Sequence, residues 1–262
     1  MSTVEEIAEM VARAKRGTTS GRVSEVGADA VRKQGRAFRL RREVEAMQFV
    51  ARRTSIPVPR ITETHLDASA DPEDLKALGW IVMERMRGRS LGDAWPAMTE
   101  GARERTLSQL KGFIEQLRRL DNPHQGRICS CSGGPAYDHR IDNVKTCGPF
   151  ASVGEFHDFL VVPVKESPRP DWADRYRRVL SDNSSVLFSH SDLSWENILV
   201  DEASGDVTAV LDWEMAGFWP EWWEYRKALY GSRGQPWWRE FLAKIMDEYT
   251  AETEADEDLE MY

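Results

Sequence analysis

Cysteine is scarce. The 262 residues include three, Cys129, Cys131 and Cys147, too few for a disulfide framework, and the Cys-x-Cys pair lacks the partner ligands of a zinc site. Reduced thiols in an ordinary loop are expected. Long apolar runs are missing as well: Trp80–Met83 and Phe159–Val164 fall far short of the roughly 20 residues a membrane-spanning helix requires, so no membrane association is expected. Basic charge is in deficit, with 35 Lys and Arg against 44 Asp and Glu for a net charge of −9. That balance argues against a nucleic-acid partner, whose phosphates demand a basic face. Part of the acidity falls in Glu248–Glu260, where a solvated tail is expected. Met1–Arg16 reads as an amphipathic helix with early acidic residues and no apolar signal core, which points to a cytoplasmic location.

An apolar fraction of 41%, with ten Trp, supplies a sizeable core and excludes a disordered chain. The length suits one large domain or two modest lobes. Ser2-Thr3-x-Glu5-Glu6 resembles a capping box ahead of Val4, Ile7 and Val11, so a helix is predicted over residues 3–15. Arg22–Val26 and Ala30–Lys33 flank Gly27-Ala28-Asp29 as a hairpin. Leu40, Val44, Met47 and Val50 make a helix of Arg39–Arg53, stopped by Ile56-Pro57-Val58-Pro59, and Gly79–Glu84 is a buried strand closed by Arg87-Gly88. Leu107, Leu110, Ile114 and Leu117 predict a long helix ending at Asn122-Pro123. Residues 122–149 read as a long irregular loop, a feature usually functional or mobile. Helices are expected at Phe150–Leu160, Pro170–Leu180, Glu221–Leu229 and Pro236–Tyr249.

The chemistry concentrates in Phe188-Ser189-His190-Ser191-Asp192-Leu193-Ser194-Trp195-Glu196-Asn197, which leads into strands Ile198–Val200 and Val207–Leu211 and then Asp212-Trp213-Glu214. A hairpin turned by Ser204-Gly205-Asp206 returns Asp212 close to Asn197. Two oxygen-bearing side chains at the end of such a ribbon suit Mg²⁺, which takes few protein ligands and completes its octahedron with water and phosphates. Asp192 is then free to orient and deprotonate an attacking hydroxyl, as phosphoryl transfer requires.

With these motifs in hand, the chain resembles the aminoglycoside phosphotransferase family, in particular its uncharacterised fungal members. The pattern His, Gly, Asp, Leu, three variable residues and Asn is similar to His190–Asn197, and the family's metal-binding Asp to Asp212-Trp213-Glu214. Upstream, Val31-Arg32-Lys33-Gln34-Gly35 resembles the strand of the nucleotide lysine, Arg42-Glu43-Val44-Glu45-Ala46-Met47 the helix that pairs with it, and Ile81-Val82-Met83-Glu84 the hinge strand. The resemblance implies an α+β, two-lobed, protein-kinase-like fold: a small N-terminal sheet lobe with a helix (residues 1–87) and a larger, mostly helical lobe (residues 88–262). It implies an ATP- and Mg²⁺-dependent phosphotransferase acting on a hydroxyl of a small molecule, such as an antibiotic, amino alcohol or secondary metabolite. Lys33 would hold the nucleotide phosphates, Glu43 would hold Lys33, and the backbone of Glu84–Met86 would meet the adenine edge. Asp192 would be the catalytic base or orienter, Asn197 and Asp212 would ligate Mg²⁺, and His190 would support the loop by hydrogen bonds.

Two departures stand out. Ser191 occupies the usual Gly position, which is permissive at negative φ and restrictive otherwise. The first strand of the usual nucleotide lobe is replaced by the N-terminal helix, leaving Gly17-Thr18-Thr19-Ser20-Gly21 to cover the phosphates. This reduction motivates the alternative of a degenerate kinase-fold nucleotide-binding or scaffold protein, and a kinase fold redirected to other biosynthetic chemistry is a further alternative. A protein kinase is disfavoured, since residues 213–220 are too few for a peptide-holding activation segment. Trp213, Trp219, Trp222, Trp223, Trp237 and Trp238 read as packing, and Glu221 and Glu224 as helix-face acids near the pocket.

Overall fold

Strand alternation builds the first sheet. β1 (Arg22–Glu25) and β2 (Ala30–Arg36) form an antiparallel hairpin, turned through Gly27 at φ +75°. β2 pairs in turn with β4 (Leu78–Glu84), and β4 with β3 (Ile61–His65), giving the order β1-β2-β4-β3. One face carries Arg32, whose guanidinium lies 4.6 Å from the Trp80 ring centroid, with His65 stacked on the same ring. The opposite face turns Lys33 and Ile81 inward, as the two-residue period dictates. This computed structural model describes residues 22–66, 74–142, 145–230 and 235–262; the predicted helix over residues 3–15 and the Gly17–Gly21 loop lie outside them.

The helix Ala37–Ala51 follows β2 directly and buries Phe38, Leu40, Ala46, Met47 and Val50. It stops where the Thr54 N–H and Oγ1 both donate to the Val50 carbonyl at 2.9 Å. Phe49 stacks on Phe188 at 5.1 Å, which fastens this helix to the remainder of the chain. β3 was not anticipated; its residues Ile-Thr-Glu-Thr-His are largely exposed and give no apolar alternation.

Two small sheets occupy the C-terminal part. One is ordered β5-β8-β9 (Arg89–Ser90, Ile198–Val200, Val207–Val210) and the other β6-β10-β7 (Cys129–Ser130, Gly217–Pro220, Val186–Ser189). The helix Glu100–Arg118, capped by Thr99, buries Leu110, Ile114 and Leu117 and packs on β7 and on the helix Pro236–Ile245. Its N-terminal turn presses on the hairpin: Thr106 Oγ1 donates to the Gly205 carbonyl at 2.7 Å. A Cβ at Gly205, whose φ is +79°, would stand 2.0 Å from the Ala102 carbonyl oxygen, so only glycine fits there. Helices also span Val153–Leu160, Asp171–Val179 and Trp223–Tyr230. Trp213, Trp219, Trp222, Trp223 and Trp238 are fully buried, the packing role expected of them. Among the described residues no helix is long and apolar enough to cross a membrane.

Two expectations are corrected. The predicted helix Pro236–Tyr249 ends at Ile245, and Tyr249 adopts φ +40° before a separate helix, Thr250–Leu259. The acidic stretch from Glu248 is therefore no solvated tail: Thr253, Ala255, Asp256 and Leu259 are buried. Asp256 accepts from Arg140 Nη2 at 2.6 Å and Arg226 Nε at 2.8 Å, which offsets the cost of burying all three charges. Replacing Asp256 with alanine takes the carboxylate from Arg140 and leaves Arg226 with Glu260 as its acidic partner, and urea denaturation should register a loss of about 3 kcal/mol.

Candidate functional site

A cavity of about 280 Å³ opens between the first sheet and the β8–β9 hairpin. Val23, Val31, Met83, Leu199 and Leu211 make its apolar walls, and Lys33, Glu43, Asn197 and Asp212 its polar end. Glu84 and Met86 line the rim where β4 ends. The Glu84 N–H donates to the Arg60 carbonyl and the Arg85 N–H to the Asp29 carbonyl, each at 2.9 Å. Among the described residues the Met86 N–H has no such partner, so the edge the backbone can offer a heterocycle narrows to Met86.

Lys33 is the electrostatic centre. Its Nζ lies 3.0 and 2.9 Å from the two oxygens of Glu43, 2.8 Å from Asp212 Oδ1 and 3.8 Å from Glu214 Oε2. Burial works against its charge, but Asp212, Glu43 and Glu214 outweigh that and hold its pKa well above the ordinary value. Asp212 is kept below the usual carboxylate range because Lys33 overcomes its desolvation. Desolvation pushes Glu43 up and Glu214 up to about 8. Arg39 Nη1 stands 3.8 Å from Glu214 Oε1.

Glu43, Asp212 and Glu214 place ligand oxygens within 4.8 Å of one another. A hard divalent cation takes such oxygen donors, and here three carboxylates surround the single ammonium of Lys33. Asn197 lines the same cavity: its Nδ2 donates to the Asp192 carbonyl at 2.9 Å and to Asp192 Oδ2 at 3.0 Å, which leaves the amide oxygen as its ligand-type atom. The donor set fits magnesium. Glu214 is the member that motif reading undervalued, although it stands in the Asp-Trp-Glu triplet.

Asp192 is half-buried beside this cavity, tied to it through Asn197. Burial first, and Asp212 second, raise its pKa to about 8. The loop that presents it is fixed from behind. His190 is fully buried and bonds the Leu211 carbonyl through Nε2 at 2.9 Å, while its Nδ1 accepts from the Asp192 N–H at 3.1 Å. That pairing defines one neutral tautomer, and burial lowers the imidazole pKa to about 4. Glu224 was read as a helix-face acid; it is buried, and its Oε2 accepts from the backbone N–H groups of His190 at 2.5 Å and Ser191 at 3.2 Å. Only the fold reveals that pairing, because the two partners lie 34 and 33 residues away.

Ser191 sits at φ +63° with its Oγ buried and unpartnered. A left-handed non-glycine residue costs about 1–2 kcal/mol and an unsatisfied buried hydroxyl roughly 1–3, against the extra backbone entropy glycine loses on folding. Ser191→Gly should therefore stabilise the protein by about 1 kcal/mol, read as a melting temperature raised by roughly 2–4 °C. Glu224 gives a pH signature. Desolvation raises its folded pKa to about 7, above the unfolded value, so the folded state binds the extra proton and stability falls as pH rises from about 4.5 to 7. Compared with Glu224→Gln, the wild-type protein should lose up to about 1.4 kcal/mol per pH unit across that window in chemical denaturation.

The profile of the "Phosphotransferase enzyme family" (APH) matches residues 16–259. A search of curated proteins returned no match. Among solved structures, the chain is similar to aminoglycoside 2'-phosphotransferase-IIIa in complex with GDP, with a TM-score of 0.61 at 13% identity over 98% of this chain and 89% of that one. It is similar to aminoglycoside-3'-phosphotransferase of type VIII, with a TM-score of 0.57 at 17% identity over 96% and 98%. A GDP and kanamycin complex of another aminoglycoside phosphotransferase matches with a TM-score of 0.57 at 14% identity over 95% and 86%. At these identities the structures establish the kinase-like α+β fold, while the profile covers nearly the whole sequence. The chain belongs to the phosphotransferase enzyme family and is a kinase-type small-molecule phosphotransferase.

Proposed function

We propose that the chain transfers the γ-phosphoryl group of Mg-ATP to a hydroxyl group of a small molecule. The observation that carries this reading is the contact of Lys33 with both Glu43 and Asp212, 179 residues apart from the latter, in the cavity that Asn197 also lines. In this reading the apolar walls and the Met86 backbone hold the base, and Lys33, oriented by Glu43, meets the phosphates. Asn197 and Asp212, with Glu214 alongside, hold the magnesium. When bound, magnesium neutralises charge on the transferred group. Asp192 orients the acceptor hydroxyl and takes its proton as the new P–O bond forms and the bond to the β-phosphate oxygen breaks.

Gly88 supports a division into residues 1–87 and 88–262. Its φ is +118°, and a Cβ there would lie 2.5 Å from Thr208 Oγ1 and 2.8 Å from the Val200 carbonyl oxygen, so the chain passes between the two parts on a residue without a side chain. Free thiols at Cys129, Cys131 and Cys147 suit a reducing cytoplasm. Binding sites for aminoglycosides in similar structures make polyhydroxylated amines the first acceptors to screen.

Mg-ATP at about 100 times its dissociation constant should stabilise the wild-type protein by roughly 2.7 kcal/mol in thermal denaturation. Asp212→Ala should abolish that stabilisation. Asp192→Asn should keep it while reducing ADP formation with an acceptor at least about 100-fold, the scale of a lost general base. Absence of any nucleotide-dependent shift in the wild-type protein would point instead to a scaffold.

A further inference from the structure

Residues 135–140, inside the stretch expected to be an irregular loop, form a strap whose successive residues grip different elements. The Pro135 carbonyl accepts from Arg42 Nε at 3.0 Å and Nη2 at 2.8 Å. Ala136 exchanges two backbone hydrogen bonds of 2.9 Å with Cys147. The Tyr137 ring meets the edge of Phe38 at 5.4 Å and lies 4.5 Å from the Arg39 guanidinium. Asp138 accepts from Trp223 Nε1 at 3.0 Å and pairs with Lys227 Nζ at 2.7 Å, both charges fully buried. The His139 N–H donates to Met215 Sδ at 3.5 Å, and Arg140 pairs with Asp256 at 2.6 Å.

The strap thus has two anchorages. Asp138 and Arg140 fix it to the helices Trp223–Tyr230 and Thr250–Leu259 of the C-terminal part. Pro135 and Tyr137 fix it to the helix Ala37–Ala51, which carries Glu43. At that end Arg42 is buried and its third donor, Nη1, bonds the Phe38 carbonyl of its own helix at 2.9 Å. A planar fork that binds one carbonyl through two N–H groups and a second through another transmits position and rotation together, which a lysine ammonium does not.

We propose that Arg42 is a positioning residue: clamped on the Pro135 carbonyl, it sets the placement of the neighbouring Glu43 against Lys33 and thereby the grip of the cleft on nucleotide phosphates. The last step rests on the function proposed above. The mechanical step does not. Misplacement of a positioning group by about 1 Å can cost on the order of 100-fold, so a clamp of this kind has measurable leverage.

The test compares wild type, Arg42→Ala, Arg42→Lys, Glu43→Gln and the Arg42→Ala/Glu43→Gln double variant by two readouts. Calorimetric titration with Mg-ATP should show about tenfold weaker binding in Arg42→Ala, little recovery in Arg42→Lys, and a double variant no weaker than Glu43→Gln alone, since both changes act on one pair. Hydrogen exchange without nucleotide should be faster in residues 37–51 of the Arg42 variants and unchanged in residues 223–230. Unchanged exchange in residues 37–51 overturns the proposal, as do losses of affinity that multiply in the double variant. A wild-type protein that binds no Mg-ATP refutes the Mg-ATP dependence proposed above and the grip on its phosphates with it, and the exchange experiment then decides the clamp by itself. Should Arg42→Ala fail to fold, Arg42→Lys carries both measurements.

Discussion

One buried ammonium organises the molecule. Lys33 sits among three carboxylates that come from a helix and from the end of a hairpin, and a charge removed from water persists only where such partners surround it. The sheet, the helix Ala37–Ala51 and the β8–β9 ribbon must therefore meet at one point, or each contributes an unpaired ion. Most of the fold can be viewed as the means of holding that convergence: Phe49 against Phe188, Thr106 on Gly205, and the glycine passage at residue 88.

The catalytic loop obeys the same logic with a different currency, backbone hydrogen bonds instead of ion pairs. Glu224 receives two N–H groups, His190 bridges Leu211 and Asp192, and the Leu211 N–H returns to the Asn197 carbonyl at 2.8 Å. The loop is closed on itself and on the helix Trp223–Tyr230. Strain at Ser191 and Asp212, both at positive φ, is sustained because the surrounding bonds over-determine the backbone there.

Much of this was legible in the sequence where a local pattern carried it. Turn residues exposed β2 and the β8–β9 hairpin, an apolar run exposed β4 and helical spacing the helix bearing Glu43, and the ordered motifs picked out Lys33, Glu43, Asp192, Asn197 and Asp212, which the fold brings into one neighbourhood. What escaped depends on partners distant in sequence. Asp256 looked like one acid in a charged tail because Arg140 lies 116 residues upstream. Glu224 looked exposed for the same reason. The strap over residues 135–140 carries no periodicity, since each of its residues answers to a different neighbour. β3 was hidden by a polar composition, and the break before Thr250 by a left-handed tyrosine that no propensity foretells.

The imidazole of His190 has a further implication. With its pKa pressed to about 4 by burial, it stays uncharged through mild acidification, so a pH response of the scaffold behind Asp192 above pH 5 comes from Glu224 and not from the imidazole. Histidine is the usual group to titrate near neutrality, and His190 is removed from that role although it stands directly behind Asp192.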